Sequence, residues 1–183
     1  YDQTHAAVVG LADGSFVVAF ADAVLDGSGY GSFAQRYDAG GNPLGSYFQL
    51  NSEDYTYDNQ YLPMMAALRD DPATTGANEA GFVAVWRSQT EDGSGSGIFG
   101  QRFDAAGDRK GNEFLVNTNT VGNQYNPTVA TLAGGDFVVV WSDESDYSVR
   151  GQRYTAGGTV VGGEFVVNTP DFPSSYEQYP QIA

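Results

Sequence analysis

A four-part pattern recurs along this chain, and it leaves few folds open. A run of apolar residues closed by an aromatic occurs as Phe16-Val17-Val18-Ala19-Phe20, Phe82-Val83-Ala84-Val85-Trp86 and Phe137-Val138-Val139-Val140-Trp141. Each run is followed by a Gln-Arg step, at Gln35-Arg36, Gln101-Arg102 and Gln152-Arg153. Then come Phe48-Gln49-Leu50-Asn51, Phe114-Leu115-Val116-Asn117 and Phe165-Val166-Val167-Asn168. A Gln opens each copy, at Gln3, Gln60, Gln124 and Gln178, so the spacings are 57, 64 and 54 residues. One repeat domain over 1–183 results, with copies at about 3–59, 60–123 and 124–177 and the start of a fourth at 178–183. The second copy is longer because of an insertion from Arg69 to Ala80, which belongs in a loop.

Each copy supplies four short segments rich in Val, Phe, Tyr and Trp, separated by Gly, Asn, Asp and Pro. Turn signals such as Ala12-Asp13-Gly14 and Gly40-Gly41-Asn42-Pro43 fall between them, and no segment carries a helical period of useful length. The class is therefore all-β. Four strands per repeat at this period point to β-propeller-like blades, with a β-solenoid or β-sandwich as the alternative. A blade is covered on both faces by its neighbours, which suits a strand that is apolar throughout and not alternating. Phe20, Trp86 and Trp141 are then expected between blades. Three blades fall short of the roughly four to eight in a closed ring, so either a longer propeller or several chains would complete it.

Composition narrows the functional classes. Asp and Glu number 23 against 8 Lys and Arg, a formal charge of −15, and Lys110 is the single lysine. Such a surface repels phosphate backbones and anionic lipid, which argues against nucleic acid and membrane attachment and favours divalent cations. No apolar run approaches the ~20 residues of a membrane-spanning helix. Cysteine is absent, so disulfides, thiolate metal sites and cysteine nucleophiles are excluded together. Opening on Tyr1, without an initiator Met, is expected of a processed or excised piece of something longer.

Three sets of residues are candidates for a site. Asp26 and Asp92 each open an Asp-Gly-Ser-Gly loop six residues after Phe20 and Trp86, and Asp146 stands in the glycine-free counterpart of the third copy. Carboxylates on a glycine-rich curl suit calcium, with Asp22, Glu91, Asp143 and Glu144 nearby, although Asp-Gly is also an ordinary hairpin turn. Arg36, Arg102 and Arg153 could hold an anionic or hydroxyl-rich ligand, or could tie one blade to the next. Recurrence in every copy favours the tie. The loops before each Gln carry Tyr55, Tyr57, Tyr61, Tyr125, Phe172, Tyr176 and Tyr179, whose rings beside Asn and Asp resemble a sugar-binding surface or an edge cap. No catalytic residue is assigned. His5 is the single histidine, and the inserted Asp70 and Asp71 are the one asymmetric acidic feature.

The stretch Pro127-Thr128-Val129-Ala130-Thr131-Leu132 followed by Gly134 to Trp141 resembles a tandem repeat of very large secreted bacterial proteins of the RTX and adhesin-like kind. So does Asp92 to Asp104 followed by Gly111 to Asn117. The resemblance covers the chain and implies an extracellular or cell-surface location beside calcium-binding or adhesive modules. The calcium nonapeptide Gly-Gly-x-Gly-x-Asp of RTX proteins does not occur here. The expectation is a non-enzymatic binding or adhesion module with calcium-assisted carbohydrate binding. The alternative is an assembly scaffold, and a propeller-based polysaccharide hydrolase or lyase is third. Expected partners are glycans or another copy of the same repeat in a homo-oligomer.

Overall fold

The computed structural model describes residues 3–52, 58–69, 80–168 and 180–182. It holds twelve strands in three four-stranded antiparallel sheets, one per copy, and no helix among the described residues. The first sheet is β1 (Gln3–Gly10), β2 (Phe16–Asp22), β3 (Gly31–Tyr37) and β4 (Phe48–Gln49). The second is β5 (Gln60–Leu68), β6 (Gly81–Gln89), β7 (Ser96–Asp104) and β8 (Arg109–Leu115). The third is β9 (Gln124–Thr131), β10 (Phe137–Asp143), β11 (Ser148–Tyr154) and β12 (Val160–Val166). Each sheet is a meander in which sequence neighbours pair. The four segments read from each copy are thus its four strands, shrunk to two residues in β4.

The sheets pack face to face in sequence order, and this explains the continuously apolar strands. On β6, Phe82, Ala84 and Trp86 face the first sheet and meet Val9, Val17, Ala19, Ala34 and Leu50. The alternate residues Val83 and Val85 face the third sheet and meet Phe137, Val139, Trp141 and Val129. A strand with a sheet on either side has no solvent face, so period-two alternation disappears. Burying residues the size of Trp86 and Trp141 contributes roughly 2–3 kcal/mol each. The stack is open: the first and third sheets each have a face with no neighbouring sheet among the described residues.

Recurring polar residues make the joints between copies. The Asn51 side-chain oxygen accepts from Ser32 N–H at 3.1 Å, Asn117 from Ile98 N–H at 2.7 Å and Asn168 from Val149 N–H at 2.7 Å. The Asn51 amide donates to Gln60 Oε1 at 3.4 Å and the Asn117 amide to Gln124 Oε1 at 3.0 Å. Asn51 and Asn117 therefore each extend their own sheet and grip the Gln that opens the next. Both Gln side chains are buried, where an unbonded amide would cost about 1–3 kcal/mol.

Every opening strand also bulges at one place. The pairing of β1, β5 and β9 with their neighbours shifts register between Thr4 and Ala7, between Tyr61 and Met64, and opposite Val140 and Ser142. His5, Leu62 and Asn126 take the left-handed conformation there, with φ of 56°, 57° and 52°. A bulge of this kind bends the strand and re-aims the residues before it, here Thr4, Tyr61 and Tyr125.

Candidate functional site

Register places the opening of each first strand, the end of the second and the start of the third at one end of the sheet. Gln3 pairs with Asp22 and Asp22 with Gly31, Gln60 with Ser88, and Gln124 with Asp143, itself opposite Ser148. The acidic loops and the tyrosines that open the copies therefore share this end, while the strand-borne arginines lie toward the other.

At this end a polar and aromatic cluster crosses all three sheets. Tyr30 and Tyr61 pack with their rings tilted by 42° and their centroids 5.2 Å apart. The Arg87 guanidinium lies 4.7 Å from the Tyr125 ring and 5.7 Å from the Tyr61 ring, so one cation serves two aromatic faces. Its Nε donates to Ser96 Oγ at 2.9 Å. Glu144 Oε2 accepts from the Asn123 amide at 2.6 Å and from the Tyr125 hydroxyl at 3.2 Å. Burial depresses the Arg87 guanidinium and raises the Tyr61 and Tyr125 phenols. Hydroxyl, amide, carboxylate and guanidinium groups thus converge around half-buried rings. That chemistry suits a hydroxyl-rich ligand.

Arg87 is the residue that sequence reasoning missed. It follows Trp86, where the other copies have Ala21 and Ser142. A signal was available, since a singly occurring cation in an otherwise repeated strand breaks the internal symmetry.

The acidic loops are ordered mainly by their own hydrogen bonds. Asp26 Oδ1 accepts from Ser28 N–H at 3.1 Å, Asp92 Oδ1 from Ser94 N–H at 3.0 Å and Asp146 Oδ1 from Ser148 N–H at 3.2 Å. They differ at the other oxygen. In the third copy Arg150 forms ion pairs with Asp146, with Asp143 at 3.1 Å and with Glu164 at 2.7 Å. Phe33 and Phe99 hold the position of Arg150 in the other copies, and the Oδ2 atoms of Asp26 and Asp92 are buried without a hydrogen-bond partner. Burial, reinforced by Asp22, raises the Asp26 carboxyl. Glu113 is pushed up to about 8 by burial and by its hydrogen bond to Glu91. Among the described residues no three His, Cys, Asp or Glu side chains group as metal ligands.

The three strand-borne arginines each approach another part of the chain. The Arg36 side chain lies against Gly107 in the second sheet's β7–β8 turn. Arg102 passes over Gly158 and donates to Ala156 O at 3.1 Å in the third sheet. Arg153 pairs with Asp136 of its own sheet at 2.7 Å. His5 is exposed and bonds to Thr4 Oγ1 at 2.8 Å. Tyr55, Tyr57, Phe172, Tyr176, Tyr179, Asp70 and Asp71 lie outside the described residues.

No protein-family model matches the chain, and neither does any curated protein. Among solved structures it is similar in fold to an endo-arabinase from Bacteroides thetaiotaomicron, at 14% identity with a TM-score of 0.54. That match covers 90% of this chain and 61% of the endo-arabinase, so the chain spans less than two thirds of its length. A protein of unknown function from Dyadobacter fermentans aligns at 11% identity over 87% of this chain and 67% of its own, with a TM-score of 0.38. The likeness to the endo-arabinase is one of fold. That its neighbour is named as an enzyme gives the expectation of a non-enzymatic module no support.

Proposed function

We propose that this chain is a sector of a β-propeller whose Tyr61–Arg87–Tyr125 end engages carbohydrate. The observation that carries the reading is the Arg87 guanidinium set between two tyrosine rings from different copies. The rings offer apolar faces to sugar C–H groups, while Glu144, Asn123 and the phenols bond to hydroxyls. The fold likeness to an endo-arabinase supports a propeller and is compatible with a polysaccharide ligand. Asp26 and Asp92 belong to the same reading as calcium ligands, because each keeps a buried, unpartnered oxygen. Asp146 drops out of it, since Arg150 supplies the positive charge there. An extracellular location fits a polysaccharide ligand.

Affinity electrophoresis through gels containing arabinan, neutral glucans or polyuronates tests the binding. Retardation in at least one gel is expected, with Tyr125→Ala and Arg87→Ala each weakening it about tenfold, as for the loss of one good contact. Free migration in every gel, or variants that bind as the parent does, would sink the proposal.

The endo-arabinase likeness favours a second reading, hydrolysis of the polysaccharide. Glycoside cleavage uses two carboxyl groups about 5–9.5 Å apart. Glu91 and Glu113 are instead in direct hydrogen bond, and β1, β5 and β9 carry no carboxylate. The Arg87–tyrosine cluster, which needs no such pair, puts binding first. Release of reducing ends from arabinan by the purified chain would reverse that order.

A further inference from the structure

The two outer faces of the stack carry the residue types that form the two halves of each seam inside it. Between the first and second sheets, Phe82 and Trp86 of the second pack on Val17, Ala19 and Leu50 of the first. Between the second and third, Phe137 and Trp141 pack on Val83, Val85 and Val116. In the first sheet the aromatic half recurs as Phe16 and Phe20, partly buried on its outer face. In the third sheet the aliphatic half recurs as Val138, Val140 and Val167, lining a groove of about 600 Å³.

Equivalent positions measure what is missing. Leu50 and Val116 are 0% and 2% exposed under the next sheet, while Val167 is 55% exposed. Met65 and Val129, on the opening strands, are 9% and 7% exposed against the preceding sheet, while Val8 is 65% exposed. Val138 and Val140 are 7% exposed beside Pro180 and Ile182, so the open positions are Val167 in the third sheet and Val8 in the first. Apolar side chains left open where the stack buries their counterparts mark an association surface.

We propose that the first sheet of one copy docks on the third sheet of a second copy, repeating the seam found twice within the chain. The occupant is specified by that seam: Val8, Phe16 and Phe20 of one molecule meet Val138, Val140 and Val167 of the other. Pro180 and Ile182 border the same groove, two and four residues after Gln178 as Asn126 and Thr128 follow Gln124. The groove thus already receives residues of an opening strand, and β1 of the second copy takes their place. Each copy offers one face of each kind, so the contact is heterologous. Two copies bring six sheets, within the roughly four to eight of a ring. Closure of that ring rests on the propeller reading, whereas the seam does not, and neither depends on carbohydrate.

Sedimentation equilibrium on the 183-residue chain tests this. The expected mass rises with concentration from 19.5 kDa to about twice that. Val8→Asp and Val167→Asp alter exposed positions, so circular dichroism should show both variants folded, and each alone should sediment as a monomer. An equimolar mixture should pair again, because one variant keeps the third-sheet face and the other the first-sheet face. A parent that stays monomeric at every concentration overturns the proposal, as do two variants that still pair. A mixture that stays monomeric while the parent pairs overturns the head-to-tail arrangement.

Discussion

Glu113 and Glu164 hold the same place in successive copies, just before Phe114 and Phe165, and both reach back to the preceding sheet. Ser52 N–H donates to Glu113 at 2.6 Å and Thr118 N–H donates to Glu164 at 2.8 Å. Their protons are held differently. Burial pushes both carboxyls up, but for Glu164 the Thr118 donors and Arg150 outweigh it and the group ends below its ordinary value. Glu113 has Glu91 beside it instead, and reaches about 8. A carboxyl raised in the folded chain keeps its proton after the unfolded chain has lost its own, so unfolding releases that proton. The stabilisation is complete below the ordinary value of 4.5 and is lost as pH rises toward about 8. Urea unfolding at intervals from pH 5 to pH 8.5 should show stability falling by an amount on the order of 3 kcal/mol, and Glu113→Gln should flatten the curve. A variant with the parent's slope would assign the titration to another group.

The loop between the second and third strands shows what sequence can and cannot say about an element. Asp-Gly-Ser-Gly reads correctly as a tight turn, yet the job of its second glycine depends on the segment that leads into the next copy. Gly95 has φ of +87°, and a Cβ there would stand 2.4 Å from Gly122 O and 2.8 Å from Asn123 Oδ1. Gly93 has the same φ with nothing within 4 Å. Gly93→Ala should therefore cost only the left-handed strain of about 1–2 kcal/mol, and Gly95→Ala that strain plus displacement of the backbone at Gly122. Chemical denaturation of the two variants reads the difference, and equal losses would show that the close approach carries no energy. Strand content was legible because period and turn residues are local. The roles of the arginines were not: a repeated Arg reads the same whether it binds a ligand or spans a seam, and only contacts such as Arg102 on Ala156 O separate the two. Arg87 was hidden for the opposite reason, since attention to what recurs passes over what occurs once.

Across the whole molecule, a charge of −15 means that any cation stabilises the folded chain to some degree by screening self-repulsion. A melting point that rises with calcium is therefore no proof of a site unless sodium is matched for ionic strength. The fold itself supplies a sharper contrast. In the third copy Arg150 neutralises Asp143, Asp146 and Glu164 from within, whereas the first two copies leave Asp26 and Asp92 each with a buried bare oxygen. If calcium completes those loops, millimolar calcium should raise the melting temperature beyond matched sodium chloride, and EDTA should reverse the gain. A site filled at 100 times its Kd adds about 2.7 kcal/mol, and each kcal/mol moves the midpoint by roughly 2–4 °C in a chain of this size. Asp26→Asn combined with Asp92→Asn should remove the calcium increment and leave the sodium response unchanged. Asp146→Asn should leave the increment in place and lower the midpoint in both salts, because it breaks an ion pair. An increment that survives the double variant would move the calcium elsewhere. None beyond sodium would leave screening as the whole effect and the two loops as turns that dock one copy on the next.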